Sequence, residues 1–287
     1  MDPYLAALLS WSFDPLVIGG LALLALLYWR GARRLATRGG LTRHISGGQL
    51  AAAIAGWLSL VFALVSPLAV FSSFFLSAHM AQHLILTQIS APLVLMGRPV
   101  PTLLLGLPRQ LGRDIAPLLA RDGPLYAIGS ALVTPPVALL VFLLVFFGWH
   151  VPVLYDAAIR ITVLHDFQHL TFFWAAILFW WGAVDPVNGR NQRRRFLSLV
   201  TIALAFMAAN ALGIWFTFTP NIIYPSYEVG PQLFGVSSRD DQIVGGLVMW
   251  VAGSLLYAIA ALVVLGAAMH AEERAARRRE AQEAALA

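Results

Sequence analysis

Phe196–Phe218 reads FLSLVTIALAFMAANALGIWFTF, twenty-three residues without a charged side chain, and Arg193, Arg194 and Arg195 stand directly before it. A helix needs about 20 apolar residues to cross a hydrocarbon core, so this stretch can span a bilayer in one pass. Arginine next to a span is retained on the cytoplasmic side. This one segment therefore gives a class, the membrane helix, and a direction.

Working outward, comparable apolar runs occupy Phe13–Trp29, Ser46–Val65, Phe74–Met96, Leu125–Trp149, Thr162–Val184 and Ile243–Met269. The first is the weakest, being short, with Asp14 and Pro15 at its edge. Seven spans place the two ends of the chain on opposite sides. The arginines agree with that count. Arg30, Arg33, Arg34, Arg38 and Arg43 follow the first span, and Arg98, Arg109, Arg113 and Arg121 follow the third. Arg190 joins the triplet after the fifth, and Arg274, Arg277, Arg278 and Arg279 lie in the tail. Seventeen of the nineteen thus share one side, and only Arg160 and Arg239 fall on the other. The expected fold is an all-α polytopic membrane bundle of seven transmembrane helices, N-terminus outside and C-terminus cytoplasmic. Residues 1–270 form one bundle domain and 271–287 a charged cytoplasmic tail, in which Glu273 and Arg277 make a favourable i,i+4 pair.

Composition supports the class. Of 287 residues 59% are hydrophobic and 11% charged, with mean hydropathy +0.76, whereas soluble domains carry about 25% charged residues. A pI near 10.1 suggests nucleic acid, but the arginines lie in short clusters between apolar runs and act as topology signals, so no nucleic-acid partner is expected. The N-terminus lacks a basic region before its apolar run, so no cleavable signal peptide is expected. Cysteine is absent, which removes disulfides and thiolate metal sites.

Two loops carry expectations of their own. Arg98–Pro108 contains Pro99, Pro101 and Pro108, which should break any helix there, while Arg109–Asp122 should form a short helix on the inner interface. The outer loop Thr219–Asp241 is long enough to fold over whatever lies beneath it.

The chemistry lies in the histidines. His44 and His270 sit on the arginine-rich side as ordinary interfacial residues. His79, His83, His150, His165 and His169 all fall at the outer ends of spans. His79–His83 and His165–His169 repeat one pattern, H-x-x-Q-H, on two helices that run in the same direction, so the pairs should face each other at one depth. Residues at i and i+4 lie about 40° apart in rotation and about 6 Å in rise, the spacing of chelating His-x-x-x-His motifs. Polar groups inside a membrane are expensive and mark functional sites. Gln82 and Gln168 are placed to orient the imidazoles, Met80 either to pack or to add a thioether that would favour Cu(I), and Asp166 to act as ligand, proton acceptor or anchor. With imidazole as main donor and no thiolate, copper, zinc and iron all stay open. The short i,i+4 rise argues against two haems, whose macrocycles would collide, but a single bis-histidine haem between the third and fifth helices stays open. Met249 and Met207 read equally well as packing.

These residues resemble a known family. Ser77–Pro99 carries H-M-x-Q-H, then Ala91-Pro92-Leu93 and Gly97-Arg98-Pro99. Trp149-His150-Val151-Pro152, with Tyr155 and Ala158, leads into His165-Asp166-Phe167-Gln168-His169. Both segments are similar to signatures of the polytopic CtaG family of cytochrome c oxidase assembly factors, from about the second span to the seventh. The single-span copper chaperone of the same name holds copper through cysteines and is distinct. The resemblance implies a non-enzymatic plasma-membrane protein that delivers copper, taken from an extracytoplasmic donor, to a cytochrome c oxidase subunit. The residues alone leave two alternatives open: an intramembrane histidine-ligated hydrolase or oxidase with Asp166 as base, and a haem-binding membrane protein.

Overall fold

The computed structural model describes residues 2–37, 40–184 and 192–286, and within them the chain is helical with no strand. Five helices are long and apolar enough to cross a membrane, or up to seven if each of two bent pairs is one span. Of the arginines used for orientation, Arg38 and Arg190 lie outside the described residues, as do the side chains of Arg193, Arg194 and Arg195.

The first long helix, α1 (Pro15–Ala36), starts where the sequence looked least like a span. Asp14 caps it, accepting from the Leu16 and Val17 amides at 2.8 and 3.2 Å, and Pro15 takes the first helical position. Proline is tolerated there because that N–H has no intrahelical partner. Helix α2 (Gly47–Val65) opens with a capping box between Ser46 and Gln49.

Helix α3 (Leu76–Met96) carries the first H-x-x-Q-H and contains a π-helical segment at Ile85–Ser90, two residues after His83. After Arg98, in the left-handed region at φ 52°, the chain bends by 70° into α4 (Pro99–Gly106). This corrects the expectation that the prolines of Arg98–Pro108 break all helix. Pro99 and Pro101 both fall in the first turn of α4, where a missing N–H costs nothing. Helices α1 and α4 touch backbone to backbone. A Cβ on Gly31 would stand 1.8 Å from the Thr102 carbonyl oxygen, and one on Gly106 1.9 Å from that of Leu27. Arg34 adds a hydrogen bond to the Leu107 carbonyl at 2.8 Å. The helix expected over Arg109–Asp122 extends only over Arg109–Ile115, because Pro117 follows.

The expected fourth span, Leu125–Trp149, is not one straight helix, though the bent pair can still count as one span. It is two helices, α5 (Pro124–Leu132) and α6 (Pro135–Trp149), bent by 74°. Pro135 and Pro136 are the cause: Thr134, preceding a proline, is held extended at ψ 133°, and neither proline can donate to the turn before it. A short helix α7 (Pro152–Arg160) leads into α8 (Thr162–Val184), which carries the second motif. Helix α9 (Gln192–Phe218) contains the opening stretch. The last helix, α10, begins at Ser238–Leu247, passes a π segment at Val248–Ala252 and continues as Gly253–Leu286, its tail exposed and carrying the expected Glu273–Arg277 pair at 2.6 Å.

Candidate metal centre

The start of α3 is fixed from a distance. Phe75 offers its first turn no side-chain cap. Asp241, buried at the start of α10, supplies one, accepting from the Leu76 and Ser77 amides at 2.7 and 3.1 Å and from the Ser77 hydroxyl at 2.5 Å. A carboxylate at a helix N-terminus satisfies orphan amides and meets the positive end of the helix dipole. This clamp sets the height of His79, one turn further on.

The two H-x-x-Q-H motifs face each other as their spacing implied. His79 lies opposite His165 with ring centroids 5.0 Å apart, and His83 opposite His169 at 5.2 Å. Within each motif the rings stand 4.2 Å apart. The Nε2 atoms of His79 and His165 are 3.2 Å apart. Two imidazole nitrogens on one tetrahedral ion at about 2.0–2.1 Å stand roughly 3.3 Å apart, so this pair is already at ligand spacing. His79, His83 and His169 each offer a nitrogen within 4.8 Å of the others, and all three are buried. His165 is half-buried and lies at the outer flank. His150 sits at the other end, its ring 6.5 Å from that of His83, and its Nδ1 donates to the Phe146 carbonyl at 2.6 Å.

The hydrogen bonding of these rings is uneven. Tyr227 donates its only hydroxyl proton to the Ser72 carbonyl at 2.7 Å, so its oxygen accepts from His79 Nδ1 at 2.8 Å. Tyr155 stands 2.6 Å from the same nitrogen. Burial pushes both phenols well above their ordinary value, so they stay neutral. With Nδ1 carrying the proton, His79 turns a bare Nε2 toward the other rings. Four further nitrogens are buried without a partner among the described residues: both of His83, and Nε2 of His150 and of His169. Each unpaired buried polar atom costs about 1–3 kcal/mol. Nitrogens left bare, buried and convergent are what an imidazole-binding cation would satisfy, so this donor set fits copper or zinc.

The glutamines depart from expectation. Gln82 donates to the Ala63 carbonyl on α2 at 2.8 Å, and the Gln168 side chain has no hydrogen-bond partner, so neither orients a histidine. Tyrosines and a backbone carbonyl take that role. Met80 is buried among Leu76, Tyr155 and Met249. Asp166 is half-buried and outside the three-imidazole group.

With this geometry in place, comparison with known proteins is decisive at one point: residues 26–271 match the model of the cytochrome c oxidase caa3 assembly factor family, Caa3_CtaG. The chain belongs to that family. All five histidines of the constellation fall within the matched part of the chain. An uncharacterised protein of Mycobacterium bovis is 27% identical over 255 residues, covering 86% of this chain and 38% of its own. Another, of Mycobacterium leprae, is 26% identical over 250 residues, covering 85% of this chain and 37% of its own. The chain thus spans well under half the length of these curated relatives. No solved structure matches it significantly.

Three features in and around the site escaped the sequence. Tyr227 lies in an irregular loop with no periodicity to give its direction. Asp241 and Met249 belong to the last helix and meet the site only through the tertiary fold. The one available signal was cost: a carboxylate at the lip of an apolar span needs a partner.

Proposed function

We propose that this assembly factor binds copper through His79, His83, His165 and His169 and passes it to a cytochrome c oxidase subunit. The observation that carries the reading is the convergence of His79, His83 and His169, buried, with nitrogens within 4.8 Å, of which both of His83 and Nε2 of His169 are unpaired among the described residues. Family membership supplies the destination, the maturation of a haem–copper oxidase. The chain crosses the plasma membrane seven times, each bent pair counting as one crossing, with the N-terminus outside and the tail 271–287 in the cytoplasm. Residues 1–270 form a single bundle. In this orientation the histidines face the side from which an extracytoplasmic donor delivers copper. Half-buried His165 is the point of first contact, and the buried three-imidazole group holds the ion until transfer. An exchangeable site of this kind needs no reaction at the metal, so the factor acts as a carrier.

The test is made in cells. Strains lacking the gene should contain oxidase polypeptides and haem but little copper-dependent activity, and added copper should restore part of it. The wild-type chain should rescue that activity and His83→Ala/His169→Ala should not. Full rescue by the double variant would refute the role of the histidines.

A further inference from the structure

One turn deeper than His79, the bundle holds a second cluster. A cavity of about 30 Å³ is lined by Met80, Met249, His83 and His150, and among its lining residues only His83 belongs to the three-imidazole group. Phe146 and Phe172 help close it. A volume of this size holds about one water or one small ion. All four donors are buried, between 2% and 7% exposed.

Packing alone accounts for part of this. Met80 and Met249 share a hydrophobic cluster with Tyr155 and Phe216, and methionine is a good filler of irregular gaps. It does not account for the imidazoles. His150 commits Nδ1 to the Phe146 carbonyl, which leaves a bare, unpartnered Nε2. His83 commits neither nitrogen. Bare imidazole nitrogens beside two thioethers, in a site walled by aromatic rings, make a soft donor set. Thioethers select Cu(I) over Zn(II). The helix geometry agrees: Met80 and His83, at i and i+3, share a face of α3, and Met249 sits in the π segment of α10, a distortion that often re-aims side chains at functional sites.

We propose that Met80, Met249, His83 and His150 form a second, deeper station selective for Cu(I), which exchanges the ion with the His79–His83–His169 group. His83 is the shared ligand, because it belongs to the three-imidazole group and also lines the cavity, and neither of its nitrogens has a partner among the described residues. Copper moves between stations as Cu(I), without change of oxidation state. The inference rests on the copper reading above and goes beyond it in naming a soft site and Met249.

The test uses the full chain in mild detergent, loaded anaerobically with Cu(I), with copper X-ray absorption and competition against a Cu(I) chelator as readouts. Wild type should show a sulfur scatterer beside nitrogen. Met80→Leu/Met249→Leu preserves volume, a swap that cores tolerate well. It should lose the sulfur signal and bind Cu(I) at least ten-fold more weakly, with unchanged helical content. A nitrogen-only shell in wild type, or a sulfur shell that persists in the variant, overturns the second station while leaving the histidine site standing. Wild type that retains no Cu(I) defeats both. The wild-type spectrum decides even if the variant fails to fold.

Discussion

Tyr227→Phe removes a single oxygen, and that oxygen joins the Ser72 carbonyl to His79. The carbonyl loses its donor and Nδ1 keeps only the Tyr155 oxygen at 2.6 Å, so stability should fall by about 1–3 kcal/mol. The larger effect should be on the metal. Groups that fix the tautomer of a ligating histidine typically contribute 10–100-fold in affinity, and Tyr227→Phe should weaken copper binding by about that factor in a chelator titration. Unchanged affinity would mean that His79 binds nothing through Nε2. Asp166 makes the opposite case. It is half-buried and stands outside the imidazole group. On the carrier reading Asp166→Asn should keep oxidase activity in cells, whereas a base required for chemistry could not be replaced by an amide. A dead Asp166→Asn variant that still holds copper would turn the carrier into an enzyme. At this scale the sequence revealed the histidines because helical periodicity converts i,i+4 spacing into a shared face. It misassigned Gln82, which donates to the Ala63 carbonyl, and Gln168, which meets no hydrogen-bond partner among the described residues, because spacing alone does not say which neighbour a side chain meets.

Among the elements, α3 and α8 are the two that the site depends on, and both were legible as apolar runs with matched motifs. What hydropathy does not carry is a bend. Leu125–Trp149 averages as one span, yet Pro135 and Pro136 divide it into α5 and α6 at 74°. Arg98–Pro108 looked too rich in proline for any helix, yet their place in the first turn lets α4 form. The clamp on α3 is likewise tertiary. Asp241→Ala would strip three hydrogen bonds from the N-terminus of that helix. Loss of a helix cap costs about 0.5–2 kcal/mol, and the buried amides left behind should place this variant at the upper end. Thermal unfolding in detergent should show a lower midpoint, and Asp241→Asn, which keeps an acceptor, should recover part of it. Equal midpoints for wild type and Asp241→Ala would mean that α3 is held by packing alone.

Over the whole molecule, the constellation draws on residues from Ser72 to Asp241, so it exists only when α3, α6, α8, α10 and the loop carrying Tyr227 come together. That assembly was only partly readable. Counting arginines gave an orientation, and the repeated motif gave a facing pair, but the loop that folds over them has no pattern of its own. The orientation has its own check. A reporter joined after Ala287 should be active only in the cytoplasm, and one inserted within Thr219–Asp241 only outside. The reverse pattern would put the histidines on the wrong side to meet an external donor. The claim that ties these scales together is that the converging histidines hold a metal. Elemental analysis of the full chain, purified in mild detergent after exposure to copper, tests it most directly. Wild type should retain copper, and His83→Ala/His169→Ala, equally helical and equally inserted, should lose it. Undiminished copper in the double variant would contradict the account and leave these residues as structural hydrogen-bonding groups.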